Sequence, residues 1–251
     1  FGNAHKFSDD LTTDRQGGAL ASSTRALIAG RSSVSDTISF VTISSTGSGQ
    51  DFANLVSATG GSPAGISNGT RGIFAGGTSP TPATNKMDYV TIASQGVHAQ
   101  DFGNLSVARA NVFGCASSVR GIVAGGSSPT KQSSIDYITL SSQGDAQDFG
   151  DMTSATDNAG MASNSTRGIF GGGRTPSTTG LTTIEFITIA STGKAQDFGD
   201  LLQVRTGNRA AASSTRLVFG GGYFPSSPYN DFTNGALESV EIATTGNGQG
   251  F

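Results

Sequence analysis

Acidic residues recur along this chain at a spacing that calls for a search for catalytic carboxylates. One stands near the beginning of each of five short hydrophobic runs: Asp36, Asp88, Asp136, Glu185 and Glu238. Hydrolysis of a glycosidic bond needs two carboxyl groups that converge on one scissile bond. A carboxylate that recurs once per repeat indicates a structural hydrogen bond instead, because an active site is normally asymmetric. We therefore assign these residues to the scaffold.

The remaining candidates for chemistry are two histidines, His5 and His98, and one cysteine, Cys115. A zinc or copper site needs several His, Cys or carboxylate ligands that converge, so we predict no metal, no cofactor and no catalytic residue. Both histidines fall in or beside segments predicted as outer strands and are expected to be exposed. Cys115 lies between Gly114 and Ala116 with no histidine nearby in the repeat, and is expected to be a buried small hydrophobic residue.

Composition excludes several classes of function. The 251 residues carry a net charge of −3 with 13 % charged residues, which offers no basic surface for nucleic acid. No run approaches the ~18 apolar residues that span a membrane, so we predict no membrane insertion. Low charge combined with abundant Ser, Thr and Gly is typical of extracellular adhesins and virion surface proteins. We therefore expect a virion or extracellular, cell-surface location.

A short sequence motif that begins with arginine is repeated five times. It reads RALIAGR at 25, RGIFAGG at 71, RGIVAGG at 120, RGIFGGG at 167 and RLVFGGG at 216, with spacings of 46, 49, 47 and 49 residues. A regular period near 48 indicates a repeat architecture. Each repeat holds four short segments rich in β-branched, aromatic or small residues and bounded by Gly, Ser, Thr or Asn, which is the pattern of β-strands.

Four strands per repeat of this length predict an all-β fold, a β-propeller of five four-stranded blades. The innermost strand of each blade would be the Ala, Gly and Ser-rich segment before the arginine, because inner strands converge on the axis. We expect one domain, residues 1–251, with blades at about 12–55, 56–105, 106–152, 153–201 and 202–251, and with residues 1–11 as an extra outer strand.

The layout resembles the kelch type of propeller. The glycine doublets Gly76-Gly77 and Gly125-Gly126 follow a hydrophobic strand as the kelch glycines do, and Tyr89 stands where kelch repeats have a tyrosine. Kelch repeats usually end with a tryptophan, which this chain lacks; phenylalanines take that place at 52, 102, 149 and 198. The sequence pattern STRGIFGGG…AQDFGDL more closely resembles repeats of bacteriophage tail-fibre and other virion proteins. This resemblance covers essentially the whole chain.

The two ends compete for one outer strand, since residues 2–11 and 246–251 both match the fourth segment. Three interpretations stay open. The N-terminal strand pairs with the last blade and displaces residues 246–251, or the last blade is complete and the first strand packs elsewhere, or the chain is part of a longer protein. Closing the ring would remove exposed sheet edges.

The recurring arginines suggest a structural role. Each begins a second strand directly after a Ser/Thr-rich turn, and four repeats offer an aspartate in an Asp-Phe pair. We expect charge-assisted hydrogen bonds to these carboxylates or to turn carbonyls. The arginines are Arg25, Arg71, Arg120, Arg167 and Arg216, and the aspartates are Asp51, Asp101, Asp148 and Asp197.

Variation between repeats is concentrated in the second turn and in the connection to the next blade, which share one face of a meandering propeller. A rigid scaffold with variable loops on one face is a common design of binding proteins. The richest loop, YFPSSPYNDFTNGA, combines aromatic, amide and carboxylate groups that can stack on a sugar and bind its hydroxyls. Its candidate ligand-binding residues are Tyr223, Phe224, Tyr229, Asn230, Asp231 and Phe232.

Three functions remain open. The favoured one is a non-enzymatic virion or cell-surface module, an adhesin or decoration protein that binds a host-surface glycan or protein through the variable face. The second is a structural propeller that assembles with other copies or virion proteins. The third is a glycan-active enzyme. Fold alone does not decide, because propellers serve all three.

Overall fold

The computed structural model describes residues 17–30, 34–78, 82–223 and 237–250. These residues form five four-stranded antiparallel sheets and contain no helix, an arrangement consistent with a five-bladed propeller. Each sheet is a meander in which neighbours in sequence are neighbours in space. The prediction of an all-β fold with four strands per repeat is thus confirmed. We call the sheets blades 1 to 5.

The strands of the first three blades follow the repeat. Blade 1 comprises β1 (Gly18–Ala21), β2 (Arg25–Ala29), β3 (Ser35–Thr42) and β4 (Gln50–Thr59). Blade 2 comprises β5 (Ala64–Ser67), β6 (Arg71–Ala75), β7 (Lys86–Thr91) and β8 (Gln100–Asn104). Blade 3 comprises β9 (Phe113–Ala116), β10 (Arg120–Ala124), β11 (Ser134–Thr139) and β12 (Gln147–Asp151).

The last two blades repeat the pattern. Blade 4 comprises β13 (Gly160–Ser163), β14 (Arg167–Gly171), β15 (Leu181–Thr188) and β16 (Gln196–Arg205). Blade 5 comprises β17 (Arg209–Ala212), β18 (Arg216–Gly220), β19 (Glu238–Glu241) and β20 (Gln249–Gly250). The C-terminal residues therefore complete blade 5, as the second interpretation of the chain ends requires; residues 1–11 lie outside the described part of the chain.

Among the described residues the hydrophobic core forms four clusters, and each cluster joins two consecutive blades. Between blades 1 and 2, for example, Leu27 and Ile38 pack with Phe74 and Ile92. The second strand is apolar on both faces because it lies between two blades, as expected for a strand without a solvent-facing side. The four phenylalanines of the Asp-Phe pairs are buried, and each makes an edge-to-face contact with the aromatic residue of the third strand.

The outer edge of a fourth strand is covered by the next blade. The N–H of Gly96 in blade 2 donates to the C=O of Phe52 in blade 1 at 2.8 Å, and Gly144, Gly193 and Gly246 make the same bond to the preceding blade. The backbones approach closely here: a Cβ on Gly150, whose φ is +140°, would lie 2.3 Å from the C=O oxygen of Gly193. This docking protects edges that would otherwise be free to aggregate.

Candidate functional site

Four of the five recurring arginines bind the next blade rather than an aspartate. Arg120 Nη1 donates to the C=O of Ile189 at 2.9 Å, and its guanidinium lies 4.3 Å from the ring centroid of Tyr137. Arg25, Arg71 and Arg167 make the equivalent carbonyl and ring contacts. Of the two partners expected from the sequence, the carbonyl is therefore the one observed.

Asp51, Asp101, Asp148 and Asp197 are exposed, and none of the arginine bonds within the described residues reaches them. The side chain of each of these aspartates points away from the buried phenylalanine that follows, because successive strand residues face opposite sides. Arg216 differs from the other four arginines, since it pairs with Glu241 of its own blade at 2.8 Å.

The recurring carboxylates hold the connections between blades. Asp88 accepts a hydrogen bond from the N–H of Val56 at 2.9 Å, and Glu185 accepts from the N–H of Thr153 at 3.0 Å. Asp136 and Glu238 bind the equivalent connections, and both are buried. These groups are occupied by structural bonds and do not converge, which agrees with their assignment to the scaffold.

One assignment in this series was wrong. Strand register pairs Ser39 with Asp51 just as it pairs Asp88 with Asp101, so Ser39 and not Asp36 holds the carboxylate position in blade 1. β3 begins earlier than the third strand of blades 2 and 3. Asp36 therefore lies in an extension that sequence spacing alone did not distinguish from the repeat.

Cys115 and His98, the histidine within the described part of the chain, both belong to the scaffold. Cys115 is buried between blades 3 and 4, and burial raises the pKa of its thiol to about 12. His98 is exposed, and its Nδ1 accepts a hydrogen bond from the N–H of Asn54 at 3.2 Å. Among the described residues no group of three or more His, Cys, Asp or Glu side chains is placed to hold a metal, and no helix could cross a membrane. His5 lies outside the described residues.

The variable face, formed by the second turns and the connections, is organised by main-chain bonds around the axis. The N–H of Asn111 donates to Gly61 C=O at 2.8 Å, Asn158 to Asn111 at 3.2 Å, and Gly207 to Asn158 at 2.9 Å. These four residues occupy one repeat position and have φ between 55° and 70°, the left-handed region that favours Gly and Asn. We call this chain of bonds the axial rim.

A cavity of about 270 Å³ lies at the variable-face ends of the first strands and is lined by all five blades. Gly18, Gly65, Gly114 and Ala210 contribute small residues to its wall, while Val112, Phe113 and Met161 contribute apolar ones. The Ala, Gly and Ser-rich segments predicted for the innermost strands thus surround it. We call it the axial cavity.

Among the described residues that line the axial cavity, Arg209 is the one that carries a charge. Its side chain is exposed, so solvent reaches it, yet surrounding protein atoms lower the pKa of its guanidinium by desolvation. Strand register places it at the position held by Gly18, Ala64, Phe113 and Gly160 in the other blades. The sequence analysis missed it, although an arginine at the head of the small-residue segment RAAASST was a visible exception to the repeat.

The predicted ligand-binding loop is described only at its start. Tyr223 is half-buried, and its backbone bridges to Thr206 with N–H···O=C distances of 3.0 and 3.3 Å. The nearby Arg174 pairs with Asp157 at 2.9 Å; this hydrogen bond raises the Arg174 pKa, and Tyr223 adds to the effect. Phe224, Tyr229, Asn230, Asp231 and Phe232 lie outside the described residues.

Comparison with protein-family models and with curated protein sequences finds no significant match.

Proposed function

We propose that this chain is a non-enzymatic binding module of a virion or a cell surface, and that it binds a glycan through the variable face. The observation that carries the proposal is the axial cavity, a concave site held by the backbone of five blades. A site whose walls are preorganised loses little conformational entropy when a ligand binds. The axial rim supplies that preorganisation.

The scaffold in this proposal is a closed, kelch-like propeller. Its support is the glycine doublet after the second strand of blades 2 to 5, with φ of +71° and +102° at Gly76 and Gly77, which stands as the kelch glycines do. Closure of blade 5 against blade 1 is supported by the axial cavity, because residues of both blades line it.

A glycan is favoured over a large protein partner by the shape of the site. The cavity is slightly smaller than the ~300–1,000 Å³ of sites for drug-sized ligands, which suits one sugar ring better than a protein surface. The loop sequence that begins at Tyr223 carries the aromatic and amide groups expected for sugars. Host-surface protein is the alternative ligand.

A glycan array tests the proposal with matched variants. Ala19, exposed in the cavity wall, is changed to Phe to fill the site, and Ser23, exposed in the first turn of the opposite face, is changed to Phe as control. We expect specific glycan binding by the parent chain and by Ser23→Phe, and loss of binding in Ala19→Phe.

A third variant, Tyr223→Ala, distinguishes binding in the cavity from binding by the loop that begins at Tyr223. Binding that survives Ala19→Phe but not Tyr223→Ala would move the site to the loop. A folded parent chain that binds nothing on a broad array would overturn the proposal of a glycan-binding module.

An assembly role is favoured by one separate observation. Ile43 is 45 % exposed at the end of β3, whereas Ile92, Leu140, Ile189 and Ile242 at the same position are 1 % exposed. Because Ile92 packs against the preceding blade, Ile43 lies on the side of blade 1 that faces blade 5, and an apolar side chain exposed there is suited to contact with another copy or another virion protein. Sedimentation of the parent chain and of Ile43→Ser tests this role: self-association that Ile43→Ser abolishes would favour assembly.

A further inference from the structure

The axial cavity contains a positive charge that the repeat does not require. Four of the five recurring arginines are bound to carbonyls of the next blade, and Arg216 is paired with Glu241. Arg209 belongs to a different repeat position, where the other blades have glycine, alanine or phenylalanine. A feature present in one blade only is what a specific binding site requires of a repeated scaffold.

The guanidinium of Arg209 has capacity for a ligand. Among the described residues its one hydrogen bond runs from Nη1 to the C=O of Asn208, the preceding residue, at 3.2 Å. Desolvation lowers its pKa, and among the described residues no carboxylate forms an ion pair with it. A guanidinium carries five N–H donors and stays protonated, and therefore most of its donors and its full charge remain available.

A second polar group at the cavity lacks a partner. Ser62 lines the cavity and is 4 % exposed, and its hydroxyl makes no hydrogen bond within the described part of the chain. A buried hydroxyl without a partner costs free energy. Rotation about χ1 would let a polar group in the cavity supply that partner.

From these observations we infer that the ligand of the axial cavity is a sugar that carries one negative charge, a carboxylate or a sulfate ester, bound by Arg209. One guanidinium neutralises one negative charge, and its planar fork matches two oxygens of such a group. Val112 and Met161 offer apolar surface to the ring, and the hydroxyl of Ser62 offers a hydrogen bond. The inference rests on the proposed function, because it assigns the ligand class of the same site.

Calorimetric titration with methyl glycosides tests the charge. The acidic arms are methyl glucuronide, methyl N-acetylneuraminide and methyl glucoside 6-sulfate; the neutral arms are methyl glucoside and methyl N-acetylglucosaminide. We expect the acidic sugars to bind more tightly than the neutral ones. Replacing Arg209 by Gln should weaken acidic binding by about 10- to 100-fold, as loss of a hydrogen bond to a charged group implies, and Arg209→Lys should fall between.

The control variant is Arg216→Gln, which removes an exposed arginine from the opposite face and should leave the affinity unchanged. Ser62→Ala should weaken binding less than Arg209→Gln does. Far-UV circular dichroism confirms that each variant is folded, which is expected because Arg209 is exposed.

The possible failures are distinguishable. Equal affinity for neutral and acidic sugars, or acidic binding unchanged in Arg209→Gln, would overturn the charge inference while the glycan-binding proposal stood. Binding of an acidic peptide by a chain that ignores every sugar would overturn the assignment of a sugar. No sugar binding in any arm, together with a negative glycan array, would overturn both proposals.

Discussion

Arg109 Nη2 and Asp136 Oδ2 lie 2.8 Å apart in an ion pair whose side chains are 0 % and 1 % exposed. Arg109 comes from the connection that precedes blade 3, and Asp136 comes from the third strand of that blade. Nη1 of the same guanidinium donates a hydrogen bond to the C=O of Ser134 at 2.8 Å. One arginine thus fixes a connection to its blade in a region that solvent does not reach.

Removal of Arg109 should be strongly destabilising. The variant Arg109→Met leaves Asp136 buried without its cation, and we expect a loss of about 3–5 kcal/mol in the free energy of unfolding. The double variant Arg109→Met/Asp136→Asn should lose less, because no uncompensated charge remains. Urea unfolding measures both. A double variant less stable than the single one would contradict the uncompensated-charge explanation.

In blades 2 and 4 the equivalent connection has no arginine to pair with the buried carboxylate. We expect this difference to affect the pH dependence of stability. Thr59 and Thr156 stand where Arg109 stands, and burial raises the pKa of Asp88 and Glu185 above 3.8 and 4.5. Each raised pKa means that the folded state holds a proton that the unfolded chain has already lost. These two groups therefore make stability fall as pH rises from their ordinary pKa values to their raised ones.

The variants Asp88→Asn and Glu185→Gln isolate this contribution. Each keeps an acceptor for the connecting N–H but cannot ionise, so its stability relative to the parent should increase as pH rises through that interval and then level off. Thermal unfolding from pH 3 upward gives the difference curve. A flat difference curve would show that the carboxyl groups titrate normally in the folded state.

The contacts of the recurring arginines predict unequal costs of removal. Arg120→Ala loses a charge-assisted hydrogen bond to Ile189 and a cation–π contact with Tyr137, and we expect it to cost about 1–3 kcal/mol. Arg216→Ala is the matched variant in blade 5, where the pair with Glu241 is 53 % and 54 % exposed. Its expected cost is within about 0.5 kcal/mol. Chemical denaturation compares the two, and equal costs would count against the inter-blade role of Arg120.

The isoleucines at the end of the third strand offer a second matched pair. Ile92→Ala removes a fully buried side chain from the joint between blades 1 and 2 and should cost about 2–5 kcal/mol. Ile43→Ala changes an exposed side chain and should cost about 0.5 kcal/mol or less. A large cost for Ile43→Ala in the isolated chain would mean that this residue is covered in solution.

The local pattern of residue types was sufficient to predict the architecture. The arginine spacing and the alternation of apolar and small segments predicted all-β structure and four strands per repeat. These features follow from periodicity within one strand or one repeat. The partner of a side chain does not: Arg120 is bound to Ile189, one blade away, and the aspartate that the sequence also offered points to solvent.

The sequence by itself determined the repeat and its glycines, because a strand between two blades must be apolar and a tight exit from it needs positive φ. Only the tertiary structure decided that Arg109 forms a buried ion pair with Asp136, that Asp36 is outside the carboxylate series, and that Arg209 lies in a cavity lined by five blades. Each of these depends on how segments far apart in the chain meet. Contacts of that kind are set by packing across the blade joints, which no local pattern encodes.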